Sequence, residues 1–348
     1  SPIASSDPGM RRIDRPLRVA IAGAGFASGM HLAGWSRLRD VDVVAICDPD
    51  REKAQVRARE HGIAGVFDDA REMLDSTRPH ALDIAAPLDV HVALCRLAAE
   101  RGIHVLCQKP LAPTVPQALE LAKATHARIR LMVHENWRFR PHYREIERWL
   151  QDGTIGRPRY ATMQVRSSAL VADEDGALPL LRRQPSLRRL DRFMIGEVLV
   201  HHLDVLRWLL GPLDVVAART ARHCAGIEGE SGALVLLEGR EVLVTLGGDF
   251  TDREAPARTC DRLEVVGSAG VLTLERNVVR ARGAHPRSAT FDLDAGYADS
   301  YAGAIAHFAD SLATGAPFET DVRDNLHTLA LVDAAYARAQ IAQSRVAQ

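Results

Sequence analysis

The 348-residue chain carries 44 Lys and Arg against 45 Asp and Glu, a formal net charge of -1, with 47% hydrophobic and 26% charged residues. That balance removes any general electrostatic case for nucleic acid or an anionic membrane surface, and no apolar run approaches the roughly 20 residues of a membrane span. The length exceeds one ordinary core and predicts two domains.

Residues 1–15 open with a small, polar, proline-bearing stretch and are expected to be a disordered tail or an expression remnant rather than a signal peptide. From Leu17 the pattern alternates strand and helix. Strands are predicted at Leu17–Ala22, Val41–Cys47, Val66–Phe67, Ala81–Ala85, Ile103–Cys107 and Ile129–Val133. Helices are predicted at Asp50–Glu60, Asp69–Leu74, Asp89–Arg101 and Thr114–His126, besides the one that opens after Gly25. Near-continuously apolar strands alternating with helices imply a parallel sheet covered on both faces, over residues 16–134.

After His134 the texture changes. A helix at Pro141–Leu150 leads into period-two segments at Arg159–Arg166, Val215–Arg222, Ala233–Leu237, Val242–Phe250, Leu263–Val266 and Val271–Leu274. These predict a large, mainly antiparallel sheet in a second domain, residues 135–348. Helices at Phe193–Leu210, Tyr301–Thr314 and Val322–Gln343 flank it. The fold class is therefore α/β followed by α+β.

The five cysteines include no C-x-x-C pair, and their total is odd. Neither a disulfide framework nor a metal site is expected, which points to a reducing, cytoplasmic setting.

Four constellations carry chemistry. The first is Gly23-Ala24-Gly25-Phe26-Ala27-Ser28, after a strand and before a helix. Gly23 and Gly25 allow a tight turn and close approach to a pyrophosphate, whose charge the helix N-terminus meets. Asp48, at the end of the next strand, can accept bonds from ribose hydroxyls, which favours NAD; nearby Arg51 leaves NADP open. The plainer alternative is a simple turn in a doubly wound sheet.

The second constellation is Gln108-Lys109-Pro110, on the strand edge where open α/β sheets bind ligands. A lysine there suits proton transfer, though a lone lysine after a strand is often just a solvated loop residue. In the third, Glu197, His201 and Asp204 follow i, i+4, i+7 spacing, which would put a carboxylate beside an imidazole on one helical face. That face could equally be the solvated side of an amphipathic helix. The fourth is the arginine run Arg182, Arg183, Arg188, Arg189 and Arg192, able to meet an anionic substrate, form a subunit contact or stay solvated.

In this order the pieces resemble the glucose–fructose oxidoreductase / inositol dehydrogenase / MocA family of NAD(P)-dependent oxidoreductases. Gly23-x-Gly25-x-x-Ser28-x-x-His31 follows its opening motif with serine at the third glycine. Pro87 and His91 stand at its P-x-x-x-H, and Gln108-Lys109-Pro110 at its E-K-P with glutamine for glutamate. Trp137-Arg138-Phe139 with Pro141, then Asp152-Gly153-x-Ile155-Gly156, match the opening of its second domain. Glu197-Val198-Leu199-Val200-His201-His202-Leu203-Asp204 stands on its D-x-G-x-H-x-x-D helix.

The resemblance implies an oxidoreductase acting on a CH–OH group of a sugar, cyclitol or related polyol. Lys109, His201 and Glu197 would be catalytic: His201 the base, Lys109 the group on the substrate oxygen, Glu197 the partner that orients His201. Gly23, Gly25, Phe26, Ala27, Ser28, Asp48, Pro87, His91, Gln108 and Lys109 would line the cofactor, and Trp137, Arg138 and His202 the substrate. The second sheet would mediate self-association as a dimer or tetramer. Two other expectations share these residues: an NAD-assisted glycosidase or eliminase with transient redox, and a catalytically silent NAD-binding regulator.

Overall fold

Six short apolar strands build the first sheet of the computed structural model, which describes residues 16–342. The expected tail over residues 1–15, and Gln343 at the end of the expected last helix, lie outside the described residues. The strands are β1 (Leu17–Ala22), β2 (Val41–Cys47), β3 (Gly65–Phe67), β4 (Ala81–Ile84), β5 (His104–Gln108) and β6 (Leu131–His134). All pair in parallel in the order β3-β2-β1-β4-β5-β6, so the order reverses between β1 and β4. A ligand crevice opens at such a reversal, beyond the strands' carboxyl ends.

Helices α1 (Phe26–Trp35), α2 (Arg51–His61), α3 (Ala70–Thr77), α4 (Leu88–Ala99) and α5 (Val115–Thr125) connect the strands. Asp50, Asp69 and Thr114 cap α2, α3 and α5 by accepting from backbone N–H groups. By contrast α1 and α4 begin at Gly25 and Pro87 with no side-chain cap. These two uncapped ends sit on the crevice side.

A 3-10 turn (Asn136–Phe139) and α6 (Pro141–Gln151) lead into β7 (Pro158–Arg166). Short α7 (Pro179–Arg183), a π-helical turn (Met194–Leu199) and α8 (Val200–Leu210) precede β8 (Leu213–Ala221), β9 (Gly232–Gly239), β10 (Leu243–Asp249) and β11 (Cys260–Gly267). Then come β12 (Gly270–Glu275), β13 (Val278–Gly283), β14 (Arg287–Thr290), α9 (Leu293–Thr314), α10 (Val322–Arg338) and β15 (Ala339–Ala342). The nine-stranded sheet runs β14-β13-β12-β11-β7-β10-β9-β8-β15, antiparallel except at β7–β10 and β8–β15. The expected mixture of a parallel and a mainly antiparallel sheet is thus present. Strands β13 and β14 went unread because their alternation is broken by arginines or is too short to register, and the helix expected to run on to Gln343 ends instead at Arg338, where the chain turns extended as β15.

The last two helices bind the halves together. Ala304, Ile305, Phe308 and Leu312 of α9 lie in one core with Val19, Ile21, Leu32 and Trp35, where the Trp35 and Phe308 rings meet edge to face. Along α10, Leu329 enters the first sheet's core, and Leu331, Val332 and Ala335 enter the second's. Fully burying one such side chain contributes about 1.5–3 kcal/mol. The two sheets are therefore held at a fixed separation, with the crevice between them. Among the described residues no helix is long and apolar enough to cross a membrane.

Candidate functional site

The glycine loop follows β1 at the reversal point. Gly23 has φ +104°, and a Cβ there would stand 2.4 Å from the Ala85 carbonyl oxygen, so only glycine fits between the two strand ends. A Cβ on Gly25 would meet no protein atom within 4 Å. That opening, beside the uncapped start of α1, fits a pyrophosphate. Asp48 is spent largely on building the loop: its carboxylate accepts from Ala24 N–H at 2.8 Å and Asp50 N–H at 2.9 Å. Ser28, where the motif has glycine, is fully buried and donates its hydroxyl to the Gly25 carbonyl at 2.7 Å. It shapes the loop from behind rather than lining the crevice.

Phe26, Ala27, Pro87, Gln108, Lys109 and Trp137 do line a cleft of about 360 Å³, with Glu197 and His201 on its other wall. His91 does not. Its ring nitrogens lie 2.9 Å from the Pro110 and Ala86 carbonyls, tying together the loops after β4 and β5. It positions those loops instead of touching the cleft.

Gln108 is fitted to a buried histidine pair. Its side-chain NH₂ donates to His31 Nε2 at 2.7 Å and to His134 Nδ1 at 3.3 Å, and its oxygen accepts from Lys109 N–H at 3.1 Å. His31 Nδ1 in turn donates to Asp83, which also takes the Trp35 indole N–H at 2.6 Å. A glutamate at 108 has no N–H to offer these two acceptors, so the amide is what this network requires.

The three residues expected to be catalytic come together, but not as the helical spacing implied. Lys109 Nζ bonds Glu197 Oε1 at 2.9 Å and the Glu197 carbonyl oxygen at 3.0 Å. His201 Nδ1 instead meets Glu135, at the end of β6. The π turn explains the change: Val198 N–H reaches back to the Phe193 carbonyl, widening the coil and rotating Glu197 off the line of His201. Its freed N–H groups are satisfied by Glu230, on Ile195, and by the Tyr336 hydroxyl, on Gly196. Thus Glu197 partners the lysine, and Glu135 partners the histidine. Glu135 was missed, although an acidic residue at a strand's carboxyl edge, beside Lys109's own edge, was a readable signal.

Burial dominates the electrostatics of this pair. Glu135 is fully buried, and burial with the neighbouring Asp204 charge raises its carboxyl well above the ordinary range. Burial, then Lys109, holds the His201 imidazole well below its usual value. Trp137 stacks flat on His201, with ring centroids 4.1 Å apart and planes at 12°, and fixes the imidazole plane.

Two residues expected on the substrate side, and one expected on the catalytic face, point elsewhere. Arg138 grips Asp204 with two bonds of 2.5 and 2.6 Å and reaches Asp324 at 2.6 Å; both Arg138 and Asp204 are buried. His202 is fully buried, with Nε2 3.0 Å from Asp261. These are interior polar contacts that hold α8 to its neighbours. Of the arginine run, only Arg183 reaches the cleft, over the Phe26 ring; Arg182 pairs with Asp173 and Asp175, and Arg192 with Asp333.

Comparison with known proteins agrees with this two-sheet fold. Residues 17–135 match the model of the oxidoreductase family with NAD-binding Rossmann fold, and residues 143–273 that of the GFO/IDH/MocA C-terminal domain. The chain is 33% identical to a D-apiose dehydrogenase of Paraburkholderia graminis, covering 93% of this chain and 88% of the relative. It is 30% identical to inositol 2-dehydrogenase 4 of Saccharopolyspora erythraea, covering 87% of each. An oxidoreductase from Agrobacterium radiobacter, solved with NAD⁺, L-tartaric acid and magnesium, superposes with a TM-score of 0.86 at 26% identity, over 93% of this chain and 96% of that one. With both domain models matched in sequence and the two-sheet architecture in place, the chain belongs to the GFO/IDH/MocA family of NAD-binding oxidoreductases.

Proposed function

We propose that the chain oxidises a CH–OH carbon of a sugar, cyclitol or related polyol, or reduces the matching carbonyl. The observation that carries this reading is one cleft with Lys109 and His201 on facing walls, next to an open glycine loop. NAD would be held by the Gly25 opening, the starts of α1 and α4, and Asp48; Arg51, which faces Asp68 at 3.5 Å, is half-committed and favours NAD over NADP. Held there, the cofactor would supply the hydride acceptor for the carbinol carbon.

The chain's own residues handle the proton. With Nδ1–H donated to Glu135, His201 has Nε2 free to accept the hydroxyl proton, and burial keeps the imidazole neutral beforehand. Lys109, anchored by Glu197, offers its remaining N–H to the substrate oxygen and stabilises the charge that develops there. Trp137 and Tyr297 wall the cleft and exclude water. Turnover of sugars, cyclitols and sugar acids with NAD and NADP, on wild type and on His201→Ala, tests the reading. Absence of any oxidation across that panel by a protein that binds NAD would overturn it.

The relatives' names support this substrate class: apiose, inositol and D-glucoside dehydrogenases are among them. Self-association through the second sheet is part of the same reading. Leu234 and Leu243, on adjacent strands β9 and β10, are 57% and 53% exposed, and Tyr160 and Val216 flank them. An apolar patch of that kind favours a protein contact. A reducing, cytoplasmic setting suits three buried free thiols, Cys47, Cys95 and Cys107.

A further inference from the structure

The cleft does not end at Trp137. Past the indole lies a second cavity of about 270 Å³ that shares Trp137, Arg183, Thr259 and Tyr297 with it. The charge lining this cavity is lopsided: Arg140, Arg183, Arg258 and Arg276 face Asp261 and Asp294. Both carboxylates are already engaged. Asp294 pairs with Arg258. Asp261 accepts from the Tyr143 hydroxyl at 2.7 Å and faces His202 Nε2 at 3.0 Å, leaving Arg140 at 3.5 Å. Arg183 and Arg276 have no carboxylate partner among the described residues.

Deeper in, donors are stranded. Arg140 Nε is buried without a partner, and so are both ring nitrogens of His142, which is 2% exposed. Burial and the Arg140 charge push His142 down to about 3, so it is neutral and carries one N–H that nothing accepts. Buried polar groups are ordinarily satisfied; several unsatisfied donors around one cavity mark the place of an acceptor. An anion meets that need, and a neutral hydroxyl meets less of it.

The geometry points to an anion subsite: this cavity takes the carboxylate or phosphate of an acidic sugar derivative whose CH–OH lies at Lys109 and His201. Arg140, Arg183, Arg276 and His142 supply the donors. The inference rests on the oxidoreductase reading of the cleft and names its substrate class. Placement supports it, because the Arg140 guanidinium lies 4.1 Å over the Trp137 ring that itself stacks on His201. One indole thus links the anion site to the base, a span within reach of a sugar chain. An uncharged polyol would leave the buried Arg140 Nε and His142 less well satisfied, which discriminates against it.

The test is calorimetric binding to the NADH-loaded protein of D-gluconate, D-glucuronate and D-glucose 6-phosphate against D-glucose and myo-inositol, with NAD reduction followed on the same compounds. At least one anionic probe should bind 10-fold or more tightly than the neutral ones, and whether the acids or the phosphate does so identifies the anion. Arg276→Gln, at an exposed side chain with no ion pair, should reduce that anionic preference by about 10–100-fold, and Arg276→Lys should restore part of it. Equal binding of neutral and anionic probes, or an unchanged preference in Arg276→Gln with its melting temperature intact, would overturn the subsite. Anion binding that follows this pattern without oxidation of any compound upholds the subsite and sinks the oxidoreductase reading. Oxidation of neutral polyols without anionic preference does the reverse.

Discussion

Nδ1 of His201 faces a carboxylate oxygen of Glu135, and both side chains are buried. Glu135 comes from the first sheet and His201 from α8, so the base exists only when the two halves are docked. His201→Ala should lower kcat by about 10²–10⁴, the span for general acid–base groups. Glu135→Gln keeps the shape but removes the carboxylate that accepts from His201 Nδ1, and kcat should fall about 10–100-fold with little change in KM. Steady-state kinetics on both variants checks this; a wild-type kcat in Glu135→Gln would remove Glu135 from the mechanism.

The pH profile follows from the same pair. Burial and Lys109 lower the His201 value, so the imidazole stays uncharged below the usual histidine range. The acid limb of kcat in the wild type should therefore lie below about pH 6.5. A limb at or above that value would contradict the proposed environment.

Lys109 depends on Glu197 for its position. Lys109→Met should cost about 10²–10⁴ in rate, as for other proton-handling groups. Glu197→Gln retains the backbone carbonyl contact at 3.0 Å and loses only the ion pair, so its cost should be smaller, about 10-fold. Equal losses in the two variants would mean that Glu197 acts on the substrate directly.

Two glycines of the loop separate folding from cofactor binding. Gly23→Ala forces a Cβ to within 2.4 Å of Ala85 O at a positive φ, and should destabilise the fold by about 1–3 kcal/mol. Gly25→Ala meets no protein atom, so the melting temperature should hold while NAD affinity falls at least about 10-fold. Thermal melts with and without NAD distinguish the two.

Arg138→Met tests the interior role assigned to that residue. It leaves the buried Asp204 with only the Thr328 hydroxyl at 2.7 Å and Arg207 at 3.4 Å, which should cost about 3 kcal/mol in stability. A fully stable variant with a raised KM would instead place Arg138 on the substrate.

Acid should destabilise the protein before its carboxylates titrate. Burial, then Arg130, lowers His104 to about 4, and burial, then Arg140, lowers His142 to about 3, both from 6.5. Between those values and 6.5 the unfolded chain binds more protons than the folded one, so stability falls as pH drops through that window. Each such histidine adds a slope of up to about 1.4 kcal/mol per pH unit. Urea unfolding at intervals from pH 7.5 to 4.5 measures it; a flat curve down to pH 5 would show these histidines protonated in the fold.

By itself the sequence determined the architecture and most of the residues that line the cleft. Apolar strand runs, the Gly23-x-Gly25 turn and Lys109 at a strand end are local signals, and each is written within a few residues. The pairing of groups was decided only in three dimensions. The α-helical repeat set Glu197 beside His201, but one widened π turn rotated them apart and gave Lys109 to the one and Glu135 to the other. Arg138 and His202 read as site residues because nothing local reveals Asp204, Asp324 and Asp261 waiting for them in the interior. Ser28 and Gln108, apparent departures in the sequence, proved to be fitted: a hydroxyl closes the glycine loop, and an amide feeds two buried imidazoles. Long-range polar satisfaction has no period along the chain, and so the partners of each charge emerged only when the two sheets and α10 were packed together.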